Sequence, residues 1–507
     1  MIYQLILLGD VLLFAAVCIW YVRTIDQPLF HPIGYYLLFH FLVFVFRPIL
    51  AYYYDFQLLY GVYGFQPDWD VKQTALLTTD LALLAFCATA AWRTSGIRLN
   101  IRTPDAGQRA LYIPSFLTMC MICAPVGLYA LVNSFNEKST GIQTMVADAA
   151  TGFTVNTSGV GYLHDTQLMI GPITVLLVWL FRFRWWSFAP FAVYLILKSG
   201  TGGRWPVVMA CLSLSLLYVI DRPSKRIPLK LVIALILMYL GFQAVGNDRG
   251  QFIRSQFQSQ TKVVEGEGVK LKPMESMDWG NMEFLEYLVW AIPQRTGTYS
   301  YFLDNLQVFT EPVPRILWPG KPIGPPIQRF SLFKYGTPVG MTQSVAGAGW
   351  SAMGWIGVAI WASFFGLVMG TIYAGYARSR MSLFATAAFI IFLPMTITQF
   401  RDGSLVTILK QSLFTMLPLI IWSGLSRYFY PVAVSFPAQT ATALVPRRRG
   451  IPGEESGSQA PAGGYPQQAP GANRRTRRDP AAAAEADRAV ALVPRARVVT
   501  PLLPRGR

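Results

Sequence analysis

Apolar runs of about 20 residues recur along most of this chain, and runs of that length are the signature of helices that cross a bilayer. They are expected near 2–22, 32–54, 71–92, 111–132, 164–181, 186–199, 205–220, 229–246, 343–374, 383–400 and 404–426, which predicts about eleven spans. The run at 186–199 is short. The run at 343–374 is long enough to begin outside the bilayer or to tilt within it. Of the 507 residues, 53% are hydrophobic and only 14% are charged, against about 25% charged in an ordinary globular chain. A transmembrane β-barrel would alternate apolar and polar residues in segments of about ten, and the sequence has no such pattern. The expected fold class is an all-α polytopic membrane protein.

The start of the chain lacks a basic leader, and Asp10 interrupts its apolar run, so it reads as a first permanent span rather than a cleaved signal. Orientation follows from short basic loops, which stay cytoplasmic. Arg93, Arg98, Arg102 and Arg109 follow the third span. Arg182 and Arg184 follow the fifth, Arg222, Lys225, Arg226 and Lys230 the seventh, and Arg378 and Arg380 the ninth. If the spans alternate, all fall on one side together with the tail beyond Arg427. The loops at 55–70 and 133–163 are poor in Lys and Arg and take the other side. The N-terminus is then outside, the C-terminus cytoplasmic and the long 247–342 segment extracytoplasmic.

The chain therefore divides into eight spans over 1–246, an extracytoplasmic loop over 247–342, three spans over 343–430 and a basic tail over 431–507. Within the loop, Met282–Phe309 has helix-like apolar spacing and is expected as an amphipathic helix on the membrane surface. The tail is rich in Pro, Ala, Gly, Gln and Arg and is expected to be disordered. The net charge of +17 lies largely in this tail and in short loops, so no nucleic-acid partner is implied; the bilayer is the partner that the chain requires. Cys18, Cys87, Cys120, Cys123 and Cys211 all fall inside apolar runs, where small buried thiols are the ordinary reading.

Charge inside a bilayer is costly and is usually paired or functional. Asp10, Arg47, Asp80 and Lys410 are such charges. At 1.5 Å per residue they fall about 9–13 Å from the outer ends of their spans, and similar depth makes Arg47 and Asp80 a candidate ion pair. Further cations gather at the expected outer face: Arg204 in Ser199-Gly-Thr-Gly-Gly-Arg204, Arg249 in Asp248-Arg249-Gly250, Arg295, Arg315, Lys321 and Arg329 in the long loop, and Arg401 in Arg401-Asp402-Gly403. Guanidinium groups bind phosphate oxygens in bidentate fashion and stay charged at any relevant pH. In Val313-Pro-Arg-Ile-Leu-Trp-Pro-Gly-Lys-Pro322 the prolines prevent a continuous helix, which leaves a stiff turn holding Arg315 and Lys321 near the head groups.

No Walker loop, HExxH or GxSxG motif occurs, and three histidines (His31, His40, His164) do not suggest a metal site. No cofactor is implied.

The order of these pieces resembles the bacterial O-antigen and oligosaccharide repeat-unit polymerases of the Wzy type. A Gly202-Gly-Arg204 turn precedes Asp248-Arg-Gly250, followed by a long loop with Pro314-Arg-Ile-Leu-Trp-Pro-Gly-Lys-Pro322. Ser344-Val-Ala-Gly347 then opens a glycine-rich span. The likeness covers roughly 30–425; Ala348 stands where an acidic residue often follows the Ala-Gly of that family. The resemblance implies a GT-C-like fold in the bacterial cytoplasmic membrane. It also implies transfer of a growing glycan from undecaprenyl pyrophosphate to the next lipid-linked repeat unit, with a flippase and a chain-length regulator in the same pathway. It makes Arg204, Arg249, Arg315 and Arg401 the expected pyrophosphate- or sugar-binding arginines, the first three as catalytic residues; with Arg401, the charges Arg47, Arg295 and Lys321 read from the sequence itself are the expected substrate contacts. A lipid pyrophosphate leaving group calls for such cations, and the acceptor hydroxyl needs a base. Asp248, Asp304, Glu311, Asp402 and His164 are all open candidates. An O-antigen ligase-like transferase, a transporter or flippase of lipid-linked sugars, and a membrane scaffold are the competing readings.

Overall fold

The computed structural model describes residues 2–99, 106–140, 145–147, 154–156, 161–222, 228–248, 342–379 and 382–430, together with 272–336 apart from 273, 276–278, 314–316, 319 and 323. The side chains of 62, 106, 138–140, 145–147, 154–156, 239–240 and 242–248 are outside that description. The tail expected to be disordered, 431–507, also lies outside it.

The first half of the chain forms α1 (Ile2–Thr24), α2 (Pro32–Tyr54), the short α3 (Leu58–Tyr63), α4 (Trp69–Thr94) and α5 (Ala106–Thr140). A small antiparallel hairpin pairs Met145–Ala147 with Thr154–Asn156. Then come α6 (Gly161–Leu180), α7 (Phe188–Gly200), α8 (Arg204–Asp221), α9 (Leu229–Asp248), α10 (Asn281–Ala291), α11 (Ser344–Arg378), α12 (Leu383–Asp402) and α13 (Leu405–Tyr428). Among the described residues, nine helices are long and apolar enough to cross a membrane: α1, α2, α4, α5, α6, α8, α11, α12 and α13. The chain is a multi-pass helical membrane protein. α7 has 13 residues, and α9, with 20, is apolar over Leu229–Met238 among its described side chains.

Contacts at the helix ends establish an up-and-down bundle. At one end, here the lower, His31 Nε2 lies 3.1 Å from Thr94 Oγ1, joining the start of α2 to the end of α4. Ser115 and Ser426 meet at 2.6 Å, joining α5 to α13. Arg109 grips Asp221 through two bonds of 2.5 and 2.6 Å, donates to the Trp179 carbonyl, and lies over the Trp179 ring. Arg109 is thus a buried clamp between α5, α6 and α8 and not a free loop charge. At the upper end, Gln4 of α1 donates to Tyr52 of α2 at 2.6 Å, and Ser134 of α5 meets His164 of α6 at 3.2 Å. α11 runs against α4 by small-residue packing: a Cβ at Gly366 would enter the Phe86 carbonyl and one at Gly370 the Arg93 side chain.

The structure alters two sequence expectations here. The long run at 343–374 is not one tilted span. Its helix breaks at Met353 and at Gly354, whose φ of +60° is left-handed, a conformation glycine adopts without steric cost. Ser344–Ala352 folds back beside the helix that begins at Trp355, and Gly349 and Gly357 meet backbone to backbone. From Trp355 to Arg378 the second segment is about 36 Å long at 1.5 Å per residue, enough for one crossing.

The other change concerns Met282–Phe309. Helix is limited to Asn281–Ala291, and every residue in it except Trp290 is buried. It is a core element wedged among α2, α4 and α11 rather than a surface-lying amphipathic helix. The reason is that its acidic residues find buried partners in α2 and α3 instead of water.

Candidate functional site

The upper end carries a linked set of charged side chains, built mostly from helix termini. α13 starts there, and Lys410, one turn in, reaches Asp165 of α6 at 2.7 Å. The same ammonium is 3.8 Å from Glu311 and lies 5.7 Å over the Tyr162 ring. Glu311 follows the short helical turn Gln307–Thr310, whose Gln307 donates to its carboxylate at 3.2 Å. Lys321 closes back onto this turn, donating to the carbonyls of Glu311 and Val313 at 3.0 and 3.2 Å, with the Glu311 carboxylate at 3.9 Å. Tyr162 donates to the Glu311 carbonyl. The segment that ends in the proline-framed turn is thus tied over the starts of α6 and α13.

A second chain of contacts leads inward from His164. Its Nδ1 meets Ser134 Oγ, which accepts from Gln167 Nε2 at 3.2 Å, and Gln167 Oε1 accepts from Lys198 Nζ at 2.6 Å. Lys198 is buried near the end of α7. Gly203 lies directly on it, because a Cβ there would be 3.0 Å from Lys198 Cε. The glycine-rich turn between α7 and α8 therefore does steric work: it lets the chain close over a buried ammonium before Arg204 opens α8.

Arg401 completes the set from the end of α12. Its guanidinium lies 5.5 Å over Trp205, which packs edge-on against Trp279. Its carbonyl accepts from Asn281 Nδ2 at 2.9 Å. Asp402 accepts from the Ser404 amide at 3.1 Å, so it caps the turn into α13. Gly403 carries φ of +71° and presses on the Ser344 carbonyl, while its own carbonyl accepts from Trp361 Nε1 at 3.1 Å.

Of the residues expected from sequence, Arg204, Arg401, Asp402, His164, Glu311 and Lys321 therefore come to one end of the bundle. Arg249 and Arg315 lie outside the described residues. Asp248 ends α9, and its side chain lies outside them too. Arg295 is placed elsewhere: exposed, stacked 3.6 Å from the centre of the Trp290 ring and donating to the Trp290 carbonyl. Asp304 sits in the turn Leu303–Leu306 beside Ser300; burial raises its carboxyl above the usual range and the Ser300 hydrogen bond pulls it back down.

Arg47 is also separate from this set. Sequence depth pairs it with Asp80, but its partner is Glu283 of α10, at 2.7–2.8 Å, and it also donates to the Met274 carbonyl. Asp80 faces Asp10 of α1 instead. The long segment before α11 supplied a carboxylate that span-to-span reasoning had no means to place. One turn on, Glu286 accepts from Tyr60 at 2.6 Å. Burial raises its carboxyl to about 7, opposed by Lys72, the Tyr60 hydrogen bond and Arg47 and reinforced by Glu283. Glu275 accepts from the amides of Gln57 and Leu58 at 3.2 Å each, which fixes the start of α3.

Sequence reasoning missed Lys198, Gln167, Ser134, Glu283 and Glu286. The available signal was a Glu283-x-x-Glu286 spacing, which puts both carboxylates on one helical face, and a lysine at the polar edge of an apolar run. Among the described residues no three His, Cys, Asp or Glu side chains are grouped as metal ligands would be. No protein-family model, no curated protein and no solved structure matches the chain.

Proposed function

We propose that this protein is a membrane glycosyltransferase that polymerises lipid-linked oligosaccharide repeat units. In this reading the growing glycan passes from undecaprenyl pyrophosphate to the next lipid-linked unit at the outer face of the bacterial cytoplasmic membrane. A flippase and a chain-length regulator would serve the same pathway. The observation that carries the reading is the gathering of Lys198, Arg204, Lys321, Arg401 and Lys410 at one end of a membrane bundle, beside Asp165, Glu311 and His164. A diphosphate on a lipid anchor presents its charge at that depth.

The lower end supports the orientation. Arg93, Arg98, Arg182, Arg184, Arg222, Arg378 and Arg427 stand there, and short basic loops stay cytoplasmic. The cationic end then faces outward, with the N-terminus outside and the C-terminus inside. The reading counts α7 and α9 as crossings beside the nine apolar helices, eleven spans in all, and takes a GT-C-like arrangement from the resemblance.

The chemistry needs little beyond positioned charge. The acceptor hydroxyl oxygen attacks the anomeric carbon and its proton passes to a base. The bond from that carbon to the diphosphate oxygen breaks, and the leaving group keeps the electron pair. Cations held where that charge develops lower the barrier, and losing one such donor costs about 10²–10³ in rate. The start of α8 adds backbone amides beside Arg204, an arrangement suited to an anion.

Reconstitution with a purified lipid-linked repeat unit tests the reading. A ladder of products is expected, with Arg204→Lys and Arg401→Lys each lowering the rate about 10²-fold or more. Arg249→Lys and Arg315→Lys extend the test to the two arginines of the loop. Protein that binds the substrate and never lengthens it sinks the proposal. A single transfer to a different lipid acceptor would instead indicate the ligase-like alternative.

A further inference from the structure

Apart from the cation cluster at the upper end, the cationic basin, α10 walls a concavity of its own. A cavity of about 280 Å³ is lined by Tyr3 of α1, by Arg47, Pro48, Ala51 and Tyr52 of α2, and by Asp55, Phe56 and Tyr60 beyond it. Trp69 and Lys72 of α4 and Met282, Glu283 and Glu286 of α10 complete it. This lining is polar and carries both signs of charge. Arg47 and Lys72 stand against Glu283, Glu286 and Asp55, so no large excess of either sign selects an ion. Its volume sits near the lower bound of roughly 300 Å³ for small-ligand pockets, which is room for one ring and not a chain.

The rim is aromatic and accessible. Trp69 is 55% exposed and Tyr52 45% exposed, while Tyr3 packs on them at 5.1 and 5.8 Å respectively. Lys72 lies over Tyr60 and Trp69 at 5.1 and 5.3 Å. The floor is held rigidly: Arg47 by Glu283, and Glu286 by Tyr60. Aromatic rings that cover the C–H faces of a ligand, with carboxylates and cations that meet adjacent hydroxyls, make up the chemistry that recognises a neutral sugar ring.

We infer that this cavity binds a single neutral pyranose ring of a glycan, with Trp69 and Tyr52 packing on the ring and Glu286 accepting from its hydroxyls. The inference rests on the reading that the acceptor is a glycan. It assigns the acceptor end to the α10 cavity and leaves the diphosphate to the cationic basin. Asn281 joins the two places, because it bonds the Arg401 carbonyl two residues before Glu283.

The experiment uses the full chain in lipid nanodiscs, free of alkyl-glycoside detergent, with two probes: a set of neutral methyl hexopyranosides read by saturation-transfer NMR, and inorganic pyrophosphate read by calorimetry. At least one pyranoside is expected to show ring-proton enhancement, reduced tenfold or more by Trp69→Ala and by Glu286→Gln, with pyrophosphate binding unchanged in both variants. Trp69 is exposed, so its variant folds even if Glu286→Gln does not. Pyrophosphate binding without any pyranoside signal, or a signal that survives Trp69→Ala, overturns the inference alone. A pyranoside signal without pyrophosphate binding keeps the sugar site and removes the proposed function. Loss of both removes both.

Discussion

The Arg47 guanidinium and the Glu283 carboxylate pair at 2.7–2.8 Å with both side chains almost wholly buried, which ties a transmembrane helix to a helix of the long segment before α11. Arg47 Nε donates to both carboxylate oxygens at 2.8 Å, and Nη2 stands 2.7 Å from Oε1, so hydrogen bond and charge reinforce each other. Removing one partner strands the other charge, which in buried pairs costs about 3–5 kcal/mol. Arg47→Met and Glu283→Leu are each expected to lose that much, while the double substitution recovers much of it. Unfolding by SDS titration measures the set. A double variant that loses the sum of the two single losses would show that the pair is not coupled.

Glu286 gives the protein a pH dependence of definite sign. Burial lifts its carboxyl from 4.5 to about 7, so the folded state holds the proton more tightly than the unfolded chain. Its contribution to stability is full below about pH 4.5, falls as pH rises through 7 and is flat above that. The facing groups are Glu283, Arg47, Lys72 and Tyr60, and Tyr60 remains protonated throughout because burial raises its phenol well above the ordinary value. Glu286→Gln removes this slope between pH 5 and 7 in an unfolding series. A slope unchanged in that variant assigns the dependence to another group.

Gly403 makes a conformational prediction. Its φ of +71° is left-handed, and a Cβ there would enter the Ser344 carbonyl. Strain of that kind costs about 1–3 kcal/mol before any clash. Gly403→Ala is therefore expected to lower stability by about 2 kcal/mol or more, with the turn that holds Arg401 displaced. Gly375, beside which a Cβ would meet nothing within 4 Å, is the control, and Gly375→Ala is expected to be neutral or slightly stabilising. Thermal unfolding of the two variants side by side checks it.

The membrane class and most spans were legible because bilayer thickness imposes a length that local sequence reports directly. The break in α11 was not, although Gly354 was visible, since glycine within an apolar span is common and only the packing of Gly349 on Gly357 shows a reversal. The cationic basin was half legible. Arg204 and Arg401 stand in glycine turns at helix ends and announce themselves. Lys198 and Gln167 lie in apolar runs, and their value depends on which helices are neighbours, a long-range fact that a single sequence does not carry. Arg47 found Glu283 across 236 residues for the same reason: depth in the bilayer narrows the candidates for a partner but does not select one.

Lys410 and Asp165 allow the cationic basin to be tested by opposite signs. Their 2.7 Å pair is partly exposed, so its worth to stability is small, about 1 kcal/mol or less. Its consequence for anion binding is larger. Asp165 occupies the ammonium that the proposed diphosphate needs, so the carboxylate competes with the ligand. Asp165→Asn is expected to tighten pyrophosphate binding several-fold while costing a little stability, and Lys410→Gln to weaken it. The double variant should bind like Lys410→Gln alone, because the competitor has nothing left to compete for. Calorimetry at two ionic strengths reads the set, and the effects shrink at high salt as exposed charges are screened. Weaker binding in Asp165→Asn would mean that the carboxylate orients the lysine toward the ligand rather than withholding it, and the sign alone decides between the two.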